Sequence, residues 1–497
     1  METPAGFLFA VALVMITLHR EAILRHLFLT LAFGAAVFAA PAIALPPAGQ
    51  VAVERGLLPA AVFDGKVEAW TIEARMARWN VPGVSIAVID DGKVAWARGY
   101  GVLAAGEAAP VTTDTRFQAA SISKPVAATA ALSLVQDGTL TLDGDINAVL
   151  TSWKLPASAF SAERPVALGD LLSHTAGVTV HGFPGYAQGA ALPTNVQVLS
   201  GAAPASTRAV VSWARPGEQW QYSGGGYQIV QQMIEDRTGK TFAEVVQARV
   251  LTPSGMTASG YVLPAKGGFA FAHDNDGRPI SGGWHTYPES ASAGLWTTPT
   301  DLARFGLALS AAYNGKPGAL LDPAIAMPMM KPVKGGYGLG PGVRGEGDAV
   351  TISHGGSNAG FNAFWVIHPR TGDGVAVMTN GDLGDRLMME IVRGVAKIYG
   401  WPDYLPEQHA VAAVDPEILT AREGRWATDV QGQPLVFTLR REGGRMAFDT
   451  FRGTLIFTPV SATTLVAADT GATATFETDA AGKPVLRAFG LTLTRAR

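Results

Sequence analysis

Hydrophobic and polar positions follow two periods along this chain, and the changes between them mark its elements. Residues 83–89 and 93–101 are rich in β-branched and aromatic side chains and are separated by Asp90-Asp91-Gly92. This predicts two antiparallel strands joined by a tight turn. Ahead of them, residues 64–79 place Val67, Trp70, Thr71, Ala74 and Ala77 at helical spacing and predict one amphipathic helix. Helical spacing returns at residues 168–173, 226–238 and 298–309, with Asp301 and Arg304 on the expected exposed side of the last. Residues 349–354, 363–368 and 374–379 read as strands, with Pro369-Arg370-Thr371-Gly372 turning between the last two, and residues 388–399 as a closing helix. The order implies an α/β fold: an antiparallel sheet whose halves lie far apart in sequence, flanked by helices, with a mostly helical subdomain between.

Beyond residue 400 the texture changes. Residues 401–416 hold three prolines and little pattern, which suits a linker. From residue 417 short alternating segments follow at 435–440, 445–448, 454–459, 464–468, 473–478 and 485–494, divided by turns such as Gly443-Gly444 and Ala481-Gly482-Lys483. Regular short strands of this kind predict a small antiparallel barrel over 417–497.

The start of the chain carries a different signal. Residues 27–44 are apolar, follow Arg20 and Arg25, and end in Ala42-Ile43-Ala44 before Leu45-Pro46-Pro47. A charged region, an apolar stretch and a small-x-small site describe a signal peptide over 1–44, cleaved after Ala44, and hence a periplasmic or secreted protein. The alternative is an uncleaved anchor, because the segment approaches spanning length. A second apolar stretch at 7–18 makes the leader long, and Met15 is an alternative start. Residues 45–400 then form the main domain.

Composition narrows the chemistry. A chain of 497 residues with 48% hydrophobic content can bury a large core. Only 16% of residues are charged, the net charge is −3 and no basic run occurs, which argues against a nucleic-acid surface. The absence of cysteine removes thiolate nucleophiles, disulfides and Cys-ligated metals. Among His174, His181, His273, His285, His354, His368 and His409 there is no His-x-x-x-His pair, so no metal or other cofactor is expected. No Gly-x-Ser-x-Gly elbow is present. Gly239-Lys240-Thr241 imitates the end of a P-loop, but Ile234 stands where its first glycine belongs. Gly340, Gly342 and Gly345 are a glycine-rich loop with Pro341 inside it and no helix after it.

One stretch offers a nucleophile with its own base. If Ser121 opens a helix, Lys124 lies on the same face one turn later, Pro125 is tolerated in that first turn, and the apolar run 126–135 continues the helix to Asp137-Gly138. Ser121 would sit near the positive end of the helix dipole, which favours an oxyanion. The plainer reading makes Ser121 and Ser123 mere helix caps. Tyr222, just before the glycine run 224–226, is a phenol able to relay the serine proton, or an aromatic packed under a loop. His354-Gly355-Gly356-Ser357 follows a predicted strand, and its glycines allow backbone N–H groups to approach a substrate; otherwise it is a strand-end turn.

Together these stretches resemble the serine β-lactamase and penicillin-binding protein superfamily, in its class C-like branch of esterases, D-amino-acid-specific peptidases and D-alanyl-D-alanine carboxypeptidases. Residues 117–125 match its Ser-x-x-Lys segment, and Asp170-Leu171-Leu172-Ser173-His174-Thr175-Ala176-Gly177 its Leu-Leu-x-His-Thr-x-Gly element. Tyr222-Ser223-Gly224 stands in the Tyr-x-Asn place, residues 251–256 and 294–305 resemble two further segments, and His354-Gly355-Gly356 stands where Lys-Thr-Gly or His-x-Gly occurs. The tail resembles the lipocalin-like barrel of some members. The resemblance implies a β-lactamase-like fold with Ser121 as nucleophile and Lys124 and Tyr222 as the proton-handling pair, either being the base. It also implies an oxyanion hole from the backbone N–H groups of Ser121 and Ser357, and a substrate wall at Gly224, His354, Gly355 and Gly356. His174 is expected to hold its loop. Gly224 in place of Asn, and His354-Gly355 in place of Lys-Thr, weaken the case for β-lactam hydrolysis and leave ester or D-amino-acyl amide substrates, small or peptide-like. The alternatives are a β-lactamase or D-alanyl-D-alanine carboxypeptidase and, in another class, a slowly acylating penicillin-binding sensor or scaffold.

Overall fold

The computed structural model describes residues 47–262, 268–430 and 433–496. The expected leader over 1–44 lies outside the described residues. The main sheet has six antiparallel strands in the spatial order Lys93–Gly101, Gly83–Asp90, Asp373–Thr379, Phe361–His368, Thr351–Asn358 and Gly342–Arg344. The first hairpin turns through Asp91 and Gly92, both with positive φ (+49° and +70°). A two-residue loop of that handedness matches the twist of the strands it joins.

Gly83–Asp90 is buried on both faces, which explains its unbroken apolar run. Val84, Ile86 and Val88 face a layer that includes the helix Gly384–Ile398, through Leu387, Ile391 and Val395. Ala87 and Ile89 face the larger core, shared with Leu302, Phe305 and Leu309 of the helix Pro299–Tyr313. The helix Ser123–Gln136 belongs to that second core and is buried over most of its length.

Several expectations are corrected. The helix over 64–79 is only Ile72–Arg78, because Asp64 (φ +51°) and Gly65 (φ +69°) turn the chain and Thr71 caps the helix by accepting from Ala74 N at 3.2 Å. Val67 is exposed, and Thr71 is a cap rather than part of an apolar stripe. Asp301 is not on an exposed face: it is buried and accepts from Ala258 N and Ser259 Oγ, both at 2.8 Å, while Arg304 covers it from outside at 2.7 Å. The segment 401–416 carries the short strand Glu407–His409, paired in parallel with Ala61–Phe63, and is followed by the helix Pro416–Arg422.

The tail is a closed eight-stranded antiparallel barrel, sealed by Gly424–Val430 against Leu491–Arg495. The pattern missed its first strand, and residues 484–495 divide into two strands at Phe489 and Gly490, both with positive φ. Trp426, Phe437, Phe448, Phe457 and Leu486 fill its interior. Arg75 fastens it to the preceding domain, bonding Glu390 at 2.6 and 2.8 Å and Asp469 of the barrel at 3.0 Å. Among the described residues, no helix is long and apolar enough to cross a membrane.

Candidate active site

After the two-residue strand Phe117–Gln118, the chain turns through Ala120, whose φ is +48°, into a 3-10 turn, Ala120–Ile122, and then the helix Ser123–Gln136. A left-handed alanine costs about 1 kcal/mol or more and persists only where surrounding bonds impose it. Here Ser123 Oγ donates to Ala120 O at 2.6 Å and accepts from Leu295 N at 3.1 Å. Ser123 thus serves the backbone, and Ser121 is turned toward a cleft of about 890 Å³.

Lys124 follows one turn later and is 2% exposed. Its Nζ donates to Ser121 Oγ at 3.0 Å and to the carbonyl of Ser292 at 2.9 Å, and lies 4.8 Å from the Tyr222 ring centroid. Burial lowers its pKa from 10.5 to about 7, because an ammonium stripped of water loses more than its neutral amine.

Tyr222 stands just before the helix Gly224–Thr238, whose cap Ser223 accepts from Gly226 N at 2.9 Å. It lines the cleft with Ser121, and its ring lies against Lys124 Nζ. Burial raises its pKa above the ordinary phenol value, with Ser121 acting in the opposite direction. His174 stacks on Tyr222 with centroids 4.3 Å apart. Its Nδ1 accepts from Ser223 N at 3.1 Å and its carbonyl from Gln221 N at 2.9 Å, so it holds the loop that carries Tyr222. Burial, then the nearby charge of Lys124, keep the imidazole neutral.

The third stretch departs from expectation. His354-Gly355-Gly356-Ser357 is not a strand-end turn but lies within Thr351–Asn358, paired with Phe361–His368 out to Asn358 and Phe361. The turn comes later, at Gly360 with φ +73°. Cross-strand pairing overrides the local glycine signal. On the other edge Gly342–Arg344 pairs only with Thr351–Ser353, so residues 354–358 present that edge to the Ser121 turn. Gly356 permits the approach: a Cβ there would lie 2.1 Å from Ala119 O. Asn358 ties the two together by donating to Gln118 Oε1 at 2.7 Å and to Ala293 O at 3.2 Å. His354 is buried and its pKa falls to about 3, from burial first and then the charge of Lys124. Its Nδ1 meets Gly355 O at 2.6 Å.

Ser121, Tyr222, His354, Gly355, Gly356 and Ser357 all border the cleft. Gly224 does not: it is buried beneath His181 and Phe183, and a Cβ there would fall 2.9 Å from the Phe183 ring. Its carbonyl accepts from Ser292 Oγ at 2.8 Å. Sequence reasoning missed Ser292, because a backbone carbonyl leaves no trace in residue type. It also missed the aromatic wall of Trp220 and Tyr337, and a far wall formed by Asp382, Asp385 and Met388 with Phe451 and Arg452 of the barrel. Phe451-Arg452 between two alternating segments was a readable turn; its destination was not. Among the described residues no group of three or more His, Asp or Glu is placed to hold a metal.

A serine bonded to a desolvated lysine amine with a tyrosine beside them, at a helix start against a sheet edge, is an arrangement of the serine hydrolase class. The beta-lactamase family model matches residues 70–397, and the chain belongs to that family. It is 27% identical over 396 residues to "Penicillin-binding protein 4" of Amycolatopsis lactamdurans, covering 75% of this chain and 96% of that protein. It is 30% identical over 236 residues to "Esterase EstB" of Burkholderia gladioli, covering 45% of this chain and 57% of that one. The solved octameric penicillin-binding protein homologue from Pyrococcus abyssi matches in fold with a TM-score of 0.59 and 23% identity, covering 85% of this chain and 98% of that one.

Proposed function

We propose that this protein is an exported serine hydrolase that forms an acyl-enzyme on Ser121 from ester or D-amino-acyl amide substrates and then hydrolyses it. The observation that carries the reading is Lys124: buried, 3.0 Å from Ser121 Oγ, and depressed to about 7 by desolvation. Near neutrality much of it is free amine, able to take the serine proton as Oγ attacks the carbonyl carbon. The raised pKa of Tyr222 favours the phenol over the phenolate, so between the two candidate bases Lys124 is preferred. Tyr222 then relays the proton to the departing alkoxide or amine. The backbone N–H groups of Ser121 and Ser357 receive the oxyanion. Water repeats the attack on the acyl-enzyme, losing its proton by the same route, and Ser121 is restored.

The cleft argues for the substrate class. His354 is neutral where a carboxylate-binding cation would be needed, and Arg452, which also lines the cleft, is engaged by Asp385 at 2.8 and 3.1 Å. Substrates that depend on a bound carboxylate, such as β-lactams and D-Ala-D-Ala termini, rank below esters and D-amino-acyl amides.

The test is a parallel assay of a p-nitrophenyl ester, a D-Ala p-nitroanilide and a chromogenic cephalosporin, with Ser121→Ala as control. Ester or anilide turnover should lead and vanish in the variant, with the acid limb of kcat/KM near pH 7. Unchanged turnover in Ser121→Ala removes the assignment. Fluorophosphonate labelling of Ser121 without turnover of any substrate would favour the slowly acylating sensor instead.

A further inference from the structure

We propose that the Phe451-Arg452 turn of the barrel is a substrate subsite that receives an apolar, uncharged group of the molecule acylating Ser121. This rests on the Ser121 reading above and extends it to the shape of the substrate. The turn joins the strands Arg445–Thr450 and Gly453–Pro459 and borders the same cleft as Ser121.

Its position is fixed from both sides. Thr450 Oγ1 accepts from Arg452 N at 3.0 Å and donates to Gly453 O at 2.7 Å. The Arg452 guanidinium grips the Asp385 carboxylate at 2.8 and 3.1 Å and donates to the Asp382 carbonyl at 2.8 Å. A paired, planar guanidinium of this kind sets geometry rather than offering itself to a second anion. Phe451 is nevertheless 73% exposed, a large ring held at the cleft with little of its surface covered. Covering it is favourable, and Met388 adds apolar surface to the same wall. Arg452 and Asp385 offset one another, and the remaining carboxylate of this wall, Asp382, opposes an anionic occupant, so the group that fits is an alkyl or aryl arm without a carboxylate.

Phe451→Ser is the test, since so exposed a residue can change without unfolding the chain. The octanoate-to-acetate ratio of kcat/KM for p-nitrophenyl esters should fall about tenfold, in the range by which apolar pockets discriminate, and Phe451→Trp should keep it. A ratio unchanged in Phe451→Ser overturns the subsite. If no ester turns over, labelling rates with short- and long-chain alkyl fluorophosphonates separate the two readings. No labelling of Ser121 removes the nucleophile assignment. Labelling whose chain-length preference is independent of residue 451 removes only the subsite.

Discussion

Replacing Lys124 with methionine should inactivate the enzyme and stabilise it. The side chain is 2% exposed, so water does little to screen its charge, and its pKa falls from 10.5 to about 7. Between those values the unfolded chain binds a proton that the folded chain has released, so stability from this group rises with pH across the window. The penalty is complete below pH 7 and fades toward pH 10.5. At 1.36 kcal/mol per unit it is ~5 kcal/mol in full, ~4 at pH 7.5 and ~1 at pH 9.5. Methionine has nearly the same reach and no charge, but it leaves Ser121 Oγ and the Ser292 carbonyl short of a donor, at about 1 kcal/mol each. Lys124→Met should therefore be about 2 kcal/mol more stable than the parent at pH 7.5, and about 1 kcal/mol less stable at pH 9.5. Urea unfolding of both proteins at the two pH values measures the difference. Parallel stability curves would mean that the amine titrates near its ordinary value, and the case for Lys124 as base would fail with them.

Gly356→Ala should lower both thermal stability and kcat/KM, by about 1–3 kcal/mol of folding free energy, since its Cβ would lie 2.1 Å from Ala119 O. Gly355→Ala, with nothing nearer than 4.0 Å, should leave the melting temperature within a degree or so; an equal loss in both would disprove the close-approach explanation. Asp385→Asn should release Arg452 and raise the relative kcat/KM for a hemisuccinate ester over its neutral analogue about fivefold, as expected of a freed charge-assisted donor. No gain would show that Arg452 does not face the acyl group. Arg75→Met should cost roughly 3–5 kcal/mol in a calorimetric or urea measurement, because it strands Glu390, which is buried and bonded to Arg75 and to Trp79 Nε1 at 2.9 Å.

Elements whose signal is local are legible in the amino-acid sequence alone. The first hairpin follows from Asp90-Asp91-Gly92, the long helices follow from their apolar period, and the barrel follows from evenly spaced alternation. The Ser121-Lys124 relation is legible because three residues of helix fix it. What is not legible depends on partners remote in the chain. The glycines of His354-Gly355-Gly356-Ser357 read as a turn, yet pairing with Phe361–His368 draws them into a strand. Asp301 reads as a surface residue until Ala258 and Ser259 bury it with donors. Gly224 stands where the family pattern expects a substrate contact, and Phe183, some forty positions earlier, closes over it.

The sheet also dictates when the chain can become active. Gly83 N donates to Asn380 Oδ1 at 2.6 Å across 297 positions, and Gln118 is joined to Asn358 across 240. Loops of that length close slowly, because their entropy is lost before any contact rewards it. Each barrel strand, by contrast, pairs with its sequence neighbour until the final closure, so the barrel is topologically quicker to fold than the sheet. Ser121 therefore meets its sheet edge only once the chain has been made through Asp373–Thr379, more than 250 positions further on. A chain cut before Thr351 carries Ser121 and Lys124 without the sheet edge they face.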